Sequence, residues 1–464
     1  MKFNEEDTMK NMKLGFVLGC SLILGGCLAE SEDLLPNQRE VSCSTEQLDM
    51  AIQTVASDYT SSAVAIGCSE GGFVDGNLVK AGSDYTVSAG SESLYHIGRN
   101  YIDTVAQYDF LMSDVENWSY SANDANESTS NPYKLIEVSN TKAYLLRYNK
   151  SKVWIVNPSA LNAEDFKTGE LNLSAYLANT VIQVPTLDND DNEIFKLDDN
   201  DQKIQVTDYE GKPVFETIDG QEVAKYEIIT EAKNVTATAT DMSDAVIVNG
   251  KLYIAMQRLR NGATGEGQYG PYDVRSYSND SLVAVFDTET DIELEASPND
   301  TNFKAITLTG HNIQSLNVFG NNIYAATQGD YYIDFGLLEI INTTDYSVST
   351  LIQGTSEIGA IKDAAVVSAS LGYVLTDLSG YVGDVWTPKH KLYPFNPTTG
   401  QMDSVMSDFD NIYLTDIEAG PNGYLWVLSA VSSNPGVYKV NTAGSEANLF
   451  LETNLNPSKI TFKK

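Results

Sequence analysis

The chain has 464 residues, and its 29 lysines and arginines stand against 64 aspartates and glutamates, which gives a net charge of −35 at pH 7. Nucleic-acid binding needs a basic surface, so this charge excludes the nucleic-acid-binding classes. It also repels anionic lipid headgroups and other copies of the chain. We therefore expect a monomer that reaches a membrane only through an attached lipid.

The N-terminal segment has the order of a processing signal. Lysines precede the apolar run Leu14–Leu24, which is too short to cross a bilayer as a helix, and small residues then lead to Cys27. This order predicts that residues 1–26 are a lipoprotein signal peptide and that Cys27 carries the lipid. An ordinary signal peptide is the alternative. Because Leu28 follows the cysteine, we expect an exported protein, anchored by its lipid in the cell envelope at the outer membrane.

A tether and a short helix are predicted next. Residues 27–43 are polar and suit a flexible tether. Ser44–Gln47 has the composition of a helix-capping box, and apolar residues follow it at helical spacing, which predicts a helix at 44–60. In an exported protein we expect Cys43 and Cys68 to form a disulfide, because two thiols in an oxidising compartment more often pair than bind a metal.

The rest of the chain repeats one pattern six times. Each copy has an aromatic-rich run and then an apolar run that ends in Asn or Asp. The closing residues are Asp109, Asn157, Asp287, Asn342, Asn396 and Asn441. Most of them lie roughly 45 to 55 residues apart, and Asn-Gly pairs before the aromatic runs are hairpin signals. The spacing predicts an all-β fold, a β-propeller over residues 61–464, with a β-sandwich or a β-helix as alternatives.

The two ends of this region predict how the ring closes. Ser62–Gly67 is a strand-like run without a preceding partner, and Asn456–Lys464 begins like a first strand and then stops. Together they would complete one more blade and remove the exposed sheet edges. We therefore expect seven blades, with the ring closed by the N- and C-terminal strands.

One interval between closing residues is much longer than the others. The excess lies at about 185–233, a stretch that is crowded with carboxylates and includes a hairpin-like segment. Asp188, Asp190 and Asn192 are similar to the start of a calcium loop, but the glycine at its turn and the glutamate at its twelfth position are missing. A solvated acidic insert is therefore the prediction, and a weak calcium site is the alternative.

Four stretches carry a resemblance to a known family. They are Ser130–Pro158 (SNPYKLIEVSNTKAYLLRYNKSKVWIVNP), Leu171–Leu177 (LNLSAYL), Val246–Leu259 (VIVNGKLYIAMQRL) and Ser281–Asp291 (SLVAVFDTETD). Together they resemble bacterial lipoproteins with seven-bladed propellers of the YVTN, or surface-layer, type. The resemblance implies a seven-bladed envelope lipoprotein, and it implies no catalytic residues.

One face of the predicted propeller collects residues that suit a ligand. Loops between second and third strands share this face with the loops that join blades. The candidate residues there are Arg99, Tyr101, Arg147, Tyr148, Arg258, Arg260, His311, Gln328, Asp377 and Trp386. Arg99, Arg147 and Arg258 occupy equivalent positions, so the hypothesis is that they converge near the axis on an anionic or glycan ligand, with aromatic rings for stacking. The alternative is that each arginine pairs with a neighbouring blade and locks the ring.

Catalytic signals are weak. The three histidines are scattered without metal-ligand spacing, and no nucleophile or phosphate-loop motif occurs, so we predict no catalytic residues and no cofactor. The leading prediction is a lipid-anchored envelope propeller that binds a ligand or a protein. The alternative is a propeller enzyme of the lactonase, lyase or quinoprotein kind, with a metal or cofactor on the axis. A scaffold subunit of an envelope complex is a third possibility.

Overall fold

The computed structural model of the protein describes residues 48–110, 112–189, 192–207, 211–218, 221–259, 279–297, 302–329, 334–383, 385–431, 435–441, 443 and 446–464. They belong to one compact unit, residues 40–464. The predicted signal peptide 1–26, the lipidated Cys27, the tether 27–43 and Cys43 lie outside the described residues. Among those described, no helix is long and apolar enough to cross a bilayer.

Antiparallel strands form seven four-stranded blades. Blade 1 begins with β1 (Met50–Val55), β2 (Ser61–Gly67) and β3 (Phe73–Ala81). Blade 2 is β4 (Tyr85–Ala89), β5 (Ser93–Gly98), β6 (Thr104–Asp109) and β7 (Met112–Ser121), and blade 3 is β8 (Pro132–Ser139), β9 (Lys142–Arg147), β10 (Lys152–Val156) and β11 (Lys167–Asn172). The next four strands, β12 (Asn179–Pro185), β13 (Phe215–Ile218), β14 (Gln221–Ala224) and β15 (Thr230–Thr236), belong to the insert.

The second half of the chain continues the ring. Blade 4 is β16 (Met242–Val248), β17 (Lys251–Met256), β18 (Asp280–Asp287) and β19 (Ile306–His311), and blade 5 is β20 (Ile313–Phe319), β21 (Asn322–Thr327), β22 (Leu337–Asn342) and β23 (Val348–Gln353). Blade 6 and its side hairpin are β24 (Ala360–Ser368), β25 (Leu371–Asp377), β26 (Gly380–Val382), β27 (Val385–Thr387), β28 (His390–Phe395) and β29 (Asp410–Ile412). Blade 7 is β30 (Leu414–Ala419), β31 (Leu425–Ser429), β32 (Gly436–Val440) and β33 (Ala447–Glu452), and β34 (Asn456–Phe462) then completes blade 1. The described helices are single 3₁₀ turns at Ser174–Tyr176, Ser407–Phe409 and Pro421–Gly423.

The ring closes as predicted, through strands from both ends of the propeller. The N-terminal part contributes three strands, β1 to β3, where the sequence predicted one. β34 pairs with β1 in antiparallel register, from Met50↔Phe462 to Val55↔Asn456, so the first and last parts of the propeller share one sheet. The predicted helix at 44–60 is wrong where the chain is described, because β1 is an extended strand. Both faces of β1 are buried, so its sequence does not alternate between apolar and polar residues as a half-exposed strand does. The apolar spacing therefore indicated a helix.

Apolar clusters occupy the interfaces between blades. Tyr144 and Ile254 join blades 3 and 4, and Trp426 joins blade 7 to Ile52 of blade 1. Each blade needs a neighbour on both faces, because one sheet cannot bury both of its own faces. Trp154 and Trp426 are packing residues, since both are buried in such clusters.

The closing Asn and Asp residues recur because they stabilise one turn. In four blades the side-chain oxygen accepts a backbone N–H two residues later, just after the third strand. These pairs are Asn157 with Ser159 at 3.0 Å, Asp287 with Glu289 at 3.1 Å, Asn342 with Thr344 at 2.8 Å and Asn396 with Thr398 at 2.9 Å. Short polar side chains favour this turn, which leads the chain into the outer strand.

The insert leaves the ring as a two-stranded ribbon. β12 and β15 pair from Asn179↔Thr236 to Pro185↔Thr230, so the insert is slightly longer than the predicted 185–233. The predicted hairpin within it is confirmed by the pairing of β13 with β14. At its acidic start, the backbone N–H of Asn192 donates to Asp188 Oδ1 at 3.0 Å. Asp190, the remaining residue of the predicted weak calcium site, lies outside the described residues.

Candidate functional site: the charged ring at the axis

The inner strands place one polar side chain at the same register point. The inner strands of blades 1 to 7 are β34, β4, β8, β16, β20, β24 and β30. All of them except β4 have a β-bulge near their start, and the residue after the bulge is polar in each. These six residues, the axial ring, are Lys134, Asp244, Ser315, Asp363, Asp416 and Lys459. A bulge interrupts the ladder and re-aims the side chain, so the bulges turn these groups away from normal strand pairing. Inner strands surround the axis of a propeller, so the six residues surround its channel.

Members of the axial ring bind one another across blade boundaries. The contacts are Lys134 Nζ to Asp244 Oδ1 at 2.5 Å, Ser315 Oγ to Asp363 Oδ1 at 2.6 Å and Lys459 Nζ to Asp416 Oδ1 at 2.9 Å. The side chains of Lys134 and Lys459 are 34% and 39% exposed although they lie within the ring of blades, so water reaches them through the channel. These bonds join neighbouring blades at the axis.

Backbone groups reinforce the same junctions. A backbone N–H of one inner strand donates to a side chain of the preceding inner strand at five blade boundaries. The pairs are Leu135 to Ser88 at 3.2 Å, Leu316 to Asp244 at 2.8 Å, Val366 to Asn317 at 2.9 Å, Ile460 to Asp416 at 3.0 Å and Ala89 to Thr461 at 3.2 Å. The channel wall is therefore a fixed frame, which is what a preformed binding site requires.

Glu418 is the exception among the channel carboxylates. It lies two residues beyond Asp416 on β30, is partly exposed, and has no hydrogen-bond or ion-pair partner within the described chain. Burial raises the pKa of Glu418 to about 7, while Lys459 and Lys134 oppose the shift. Because it interacts electrostatically with groups of blades 1, 3, 6 and 7, its carboxylate lies close to the axis.

The channel carries more acid than base. Lys134 and Lys459 form ion pairs with Asp244 and Asp416, which leaves Asp363 and Glu418 without an ion pair among the described residues. Burial, followed by repulsion from Asp416, raises the pKa of Asp363 to about 7. Burial lowers the pKa of Lys459, but its carboxylate neighbours outweigh this effect and the net pKa is raised. Near neutral pH the axis thus holds two carboxyl groups that are only partly ionised.

A second polar cluster lies at the junction of blades 6 and 7. His390 Nε2 is 3.5 Å from Asp377 Oδ1 and 3.4 Å from Lys362 Nζ, and His390 Nδ1 accepts the backbone N–H of Leu414 at 2.9 Å. Burial lowers the pKa of His390 although Asp377 opposes the shift, so the ring is neutral. Asp377 was expected on the ligand face; here it accepts bonds from its own blade, including Ser379 N–H at 2.7 Å.

Arg147 is held by contacts within the protein. Its side chain is 1% exposed, its Nε donates to the carbonyl of Ala122 at 3.0 Å, and its guanidinium pairs with Glu127 and lies 3.9 Å from Asp124. The guanidinium also stacks 4.3 Å from the centre of the Trp154 ring. All of these partners belong to blade 3 or to the loop that precedes it.

Arg258 is engaged in the same way. Its Nε donates to the carbonyl of Tyr176 at 2.9 Å, its Nη1 donates to the carbonyl of Asp280 at 2.8 Å, and it lies over the ring of Phe303. The expectation that the arginines converge on a ligand is therefore not supported for Arg147 and Arg258, because both side chains are buried and partners already occupy their guanidinium groups. The alternative, pairing with a neighbouring blade, does not describe Arg147 either, because its partners belong to its own blade or to the loop before it.

The other candidate-face residues do not form one site. Arg99 makes a partly exposed pair with Asp84 at 3.3 Å, and Tyr101 is 75% exposed. Tyr148 donates to Gln257 Oε1 at 2.6 Å, next to Arg258.

The remaining predicted residues are dispersed as well. His311 lies 3.2 Å from Asp280, and Gln328 is partly exposed. Trp386 packs edge-on against Tyr381 in the exposed β26–β27 hairpin, with ring centres 5.2 Å apart. Arg260 lies outside the described residues. Cys68 is disulfide-bonded, and its predicted partner Cys43 is not among the residues described.

A groove lies away from the axis, between blades 2 and 3. Its volume is about 770 Å³, and its walls include Glu137, Trp118 and Tyr120. Trp118 and Tyr120 stack on each other, and both donate hydrogen bonds to backbone carbonyls of blade 3, which makes this wall rigid. Within the described part of the chain, no group of three or more His, Cys, Asp or Glu side chains could hold a metal ion.

The sequence contained a signal for the axial ring that the repeat pattern did not use. The second and third strands of each blade define the sequence repeat, whereas the residues of the axial ring lie in the inner strands. They stand in PYKLIEV, MSDAVIV, IQSLNVF, AIKDAAVV, LTDIEA and PSKITF, where a polar residue occurs two or three positions into each apolar run. In an alignment of the inner strands of all blades, these polar residues occupy one position.

Comparisons with known proteins agree with the fold. The chain is similar to a putative 6-phosphogluconolactonase from Bacteroides fragilis, with 10% identity, a TM-score of 0.52, and 90% of this chain and 99% of that chain covered. It is also similar to AztD from Citrobacter koseri (11% identity, TM-score 0.46, 89% and 98% covered) and to a periplasmic gluconolactonase from Pseudomonas aeruginosa (10% identity, TM-score 0.46, 89% and 98% covered). At such an identity the likeness to the first of these proteins shows the propeller fold alone. No protein-family model and no curated protein matches the sequence.

Proposed function

We propose that the protein is a ligand-binding propeller that takes a small organic cation into its axial channel. The observation that carries the proposal is the unbalanced pair of Asp363 and Glu418. Both carboxyls lie inside the ring of blades, neither forms an ion pair within the described chain, and the pKa of each is raised to about 7. A cation between them would restore their ionised form, because an opposite charge nearby favours it.

The sign of the channel charge argues against the anionic ligand expected from the sequence. The arginines that suggested such a ligand are largely engaged elsewhere, and the axial ring together with Glu418 holds four carboxylates against two lysines. Burial raises the pKa of Asp363 and Glu418, and charge interactions of buried groups are stronger than those on the surface. A phosphorylated or carboxylated ligand would meet repulsion at the point where an amine would find two acceptors.

Isothermal titration calorimetry with putrescine and agmatine, and with gluconate as the anionic comparison, tests this proposal. At pH 8 we expect the amines to bind. At pH 6 binding is weaker, because Asp363 and Glu418 are mostly protonated below their pKa of about 7. At pH 7, binding should release protons, which titrations in two buffers of different ionisation enthalpy measure.

Matched variants locate the site. Glu418→Gln should weaken binding at least about tenfold, the effect of losing one charge-assisted bond. Glu357→Gln, at an exposed loop position, should leave it unchanged. If gluconate binds more tightly than the amines, or if Glu418→Gln and Glu357→Gln behave alike, a cation site in the channel is ruled out.

The location of the protein is a separate part of the proposal. The lysines and apolar run before Cys27, and the resemblance to envelope lipoproteins, support a lipid-anchored propeller in the cell envelope. Labelling cells with a radioactive fatty acid tests it. We expect label on the wild-type protein and none on Cys27→Ser, and equal labelling of the two would refute lipidation at this residue.

A further inference from the structure

The groove between blades 2 and 3 lies apart from the proposed axial site. One wall consists of β6 and β7 of blade 2, and the rim consists of the loops β4–β5, β8–β9 and β10–β11. Its volume of about 770 Å³ is that of a small-molecule site, for which roughly 300–1,000 Å³ is usual. The groove is therefore large enough for a ligand of several rings.

Blade 2 holds the rim of blade 3 in place. Three of its side chains donate hydrogen bonds to backbone carbonyls of the loop after β10. They are Trp118 Nε1 to Pro158 at 2.8 Å, Gln107 Nε2 to Pro158 at 3.2 Å and the Tyr120 hydroxyl to Ala160 at 3.1 Å. The groove is thus preformed, which a binding site requires.

Gln107 distinguishes blade 2 from most of the other blades. It stands two residues before the closing Asp109 and is only 9% exposed. At the same position four other blades have apolar residues, namely Ile155, Val285, Ile340 and Pro394. A buried amide that departs from the repeat and lines a groove is typical of a functional site, because packing alone favours an apolar side chain there.

The groove offers hydrogen-bonding groups that the protein itself does not use. The side chains of Asn140 and Glu92 make no hydrogen bond to another described residue, and Asn117 has only a long contact of 3.5 Å with Gln107. All but Gln107 are exposed to solvent. An amide both donates and accepts, so it can bond two neighbouring hydroxyls of one ligand.

The charges of the lining exclude an anion and do not call for a cation. Its residues include no lysine or arginine. Of its two carboxylates, Glu137 already accepts the backbone N–H of Ser91 at 3.0 Å and the hydroxyl of Tyr95 at 2.6 Å. Glu92 is exposed and hydrated at the rim. An uncharged ligand is therefore the best match.

Apolar surface completes the groove. The polar atoms of Trp118 and Tyr120 are engaged with backbone carbonyls, so their rings contribute only carbon surface to the wall. Leu161 stands at the rim and is 95% exposed. Apolar walls with a few polar groups are the usual composition of a site for a small organic molecule.

We propose that this groove binds a short oligosaccharide of uncharged sugars. The inference goes beyond the proposed cation binding and does not depend on it. Hydroxyl groups of the sugar bond to Asn117, Asn140 and Glu92, and the apolar C–H faces of its rings pack against the aromatic wall and Leu161. Sugars that carry carboxylates, such as uronic acids, are repelled by the two glutamates of the lining.

Isothermal titration calorimetry on the purified protein tests the proposal. The probes are maltotetraose, cellotetraose, xylotetraose, mannotetraose, galactotetraose and chitotetraose, with tetragalacturonate and tetra-alanine as the anionic and the peptide comparison. We expect at least one neutral tetrasaccharide to bind and neither comparison to do so. If none of the neutral tetrasaccharides binds, or if tetragalacturonate or tetra-alanine binds more tightly, the proposal is overturned.

Matched variants and hydrogen exchange locate the sugar. Asn117→Ala and Asn140→Ala change exposed side chains, and each should weaken binding about fivefold, the effect of losing one neutral hydrogen bond. Asn448→Ala, at an exposed position in the outer strand of blade 7, should leave binding unchanged.

In hydrogen-exchange mass spectrometry the sugar should slow exchange in residues 112–121 and 157–161 and leave 447–452 unaffected. Equal affinities of the Asn117→Ala, Asn140→Ala and Asn448→Ala proteins, or protection confined to other blades, would place the sugar elsewhere and refute the groove as its site.

Discussion

Replacing Arg147 by alanine is expected to destabilise the propeller far more than the same change at Arg99, although both residues lie at the end of the second strand of a blade, Arg147 as its last residue and Arg99 just after it. Arg147 is 1% exposed and bound to Glu127 and to the carbonyl of Ala122, whereas Arg99 is 29% exposed and its partner Asp84 is 49% exposed. The two positions thus form a matched pair that differs in burial.

The magnitudes follow from that difference. Removing one partner of a buried ion pair costs about 3–5 kcal/mol, and the lost contact with Trp154 adds to it. Glu127 is 22% exposed, so water partly hydrates the carboxylate left behind, and about 3 kcal/mol is the expected loss for Arg147→Ala. An exposed pair such as Arg99 with Asp84 contributes at most about 1 kcal/mol.

Urea unfolding followed by far-ultraviolet circular dichroism measures both variants against the wild type. Arg147→Lys serves as a third variant, because it keeps the charge but loses the planar fork that reaches two partners, so an intermediate loss is expected. If Arg147→Ala loses less than about 1 kcal/mol, or no more than Arg99→Ala, then Arg147 does not lock the blade, and a ligand role would have to be reconsidered.

Three other predictions concern the axis. The folded-state pKa of Asp363 lies above its ordinary value, so the folded protein binds more protons and loses stability as the pH rises toward and through 7. Asp363→Asn keeps the oxygen that accepts a hydrogen bond from Ser315 and should stabilise the protein by about 2 kcal/mol at pH 8 but not at pH 4. Midpoints of urea unfolding at the two pH values measure this difference, and an equal effect at both would contradict the raised pKa of Asp363. Lys459→Met leaves Asp416 uncompensated and should cost about 3 kcal/mol at pH 8, with Lys196→Met, at an exposed position, as the control; a loss no larger than in the control would argue against the pair. Deleting 456–464 removes the strand that closes blade 1 and should abolish a cooperative unfolding transition in calorimetry, whereas a normal transition would mean that closure is dispensable.

Prediction from sequence succeeded where the signal was local. The closing residues such as Asn157 were found because an Asx turn needs a short polar side chain at one place in every blade. The second strands were found because they are buried and rich in aromatic residues. Outer strands such as Lys167–Asn172 were missed, because a largely exposed strand lacks an apolar run, and β1 was mistaken for a helix because all its positions are apolar or buried.

The site was harder to predict than the fold. Arg147 was recognised as unusual, but its partner Glu127 lies in a joining loop where no pattern marks it. Lys362 and His390 are separated by one strand and a hairpin, and each alone has the sequence context of an ordinary surface lysine or core histidine. The two side chains meet only when the strands of blade 6 pair.

The sequence by itself determined the repeating strand module, its turns and the number of blades, because strand periodicity and turn chemistry act over a few residues. Only the tertiary structure decided which charges meet. Lys134 and Asp244 are 110 positions apart in the chain and are brought together by the curvature of the ring, and Lys459 reaches Asp416 only once the last strand has closed it. A residue's local sequence sets its strand and its face, but its partner across the axis depends on all seven blades packing together.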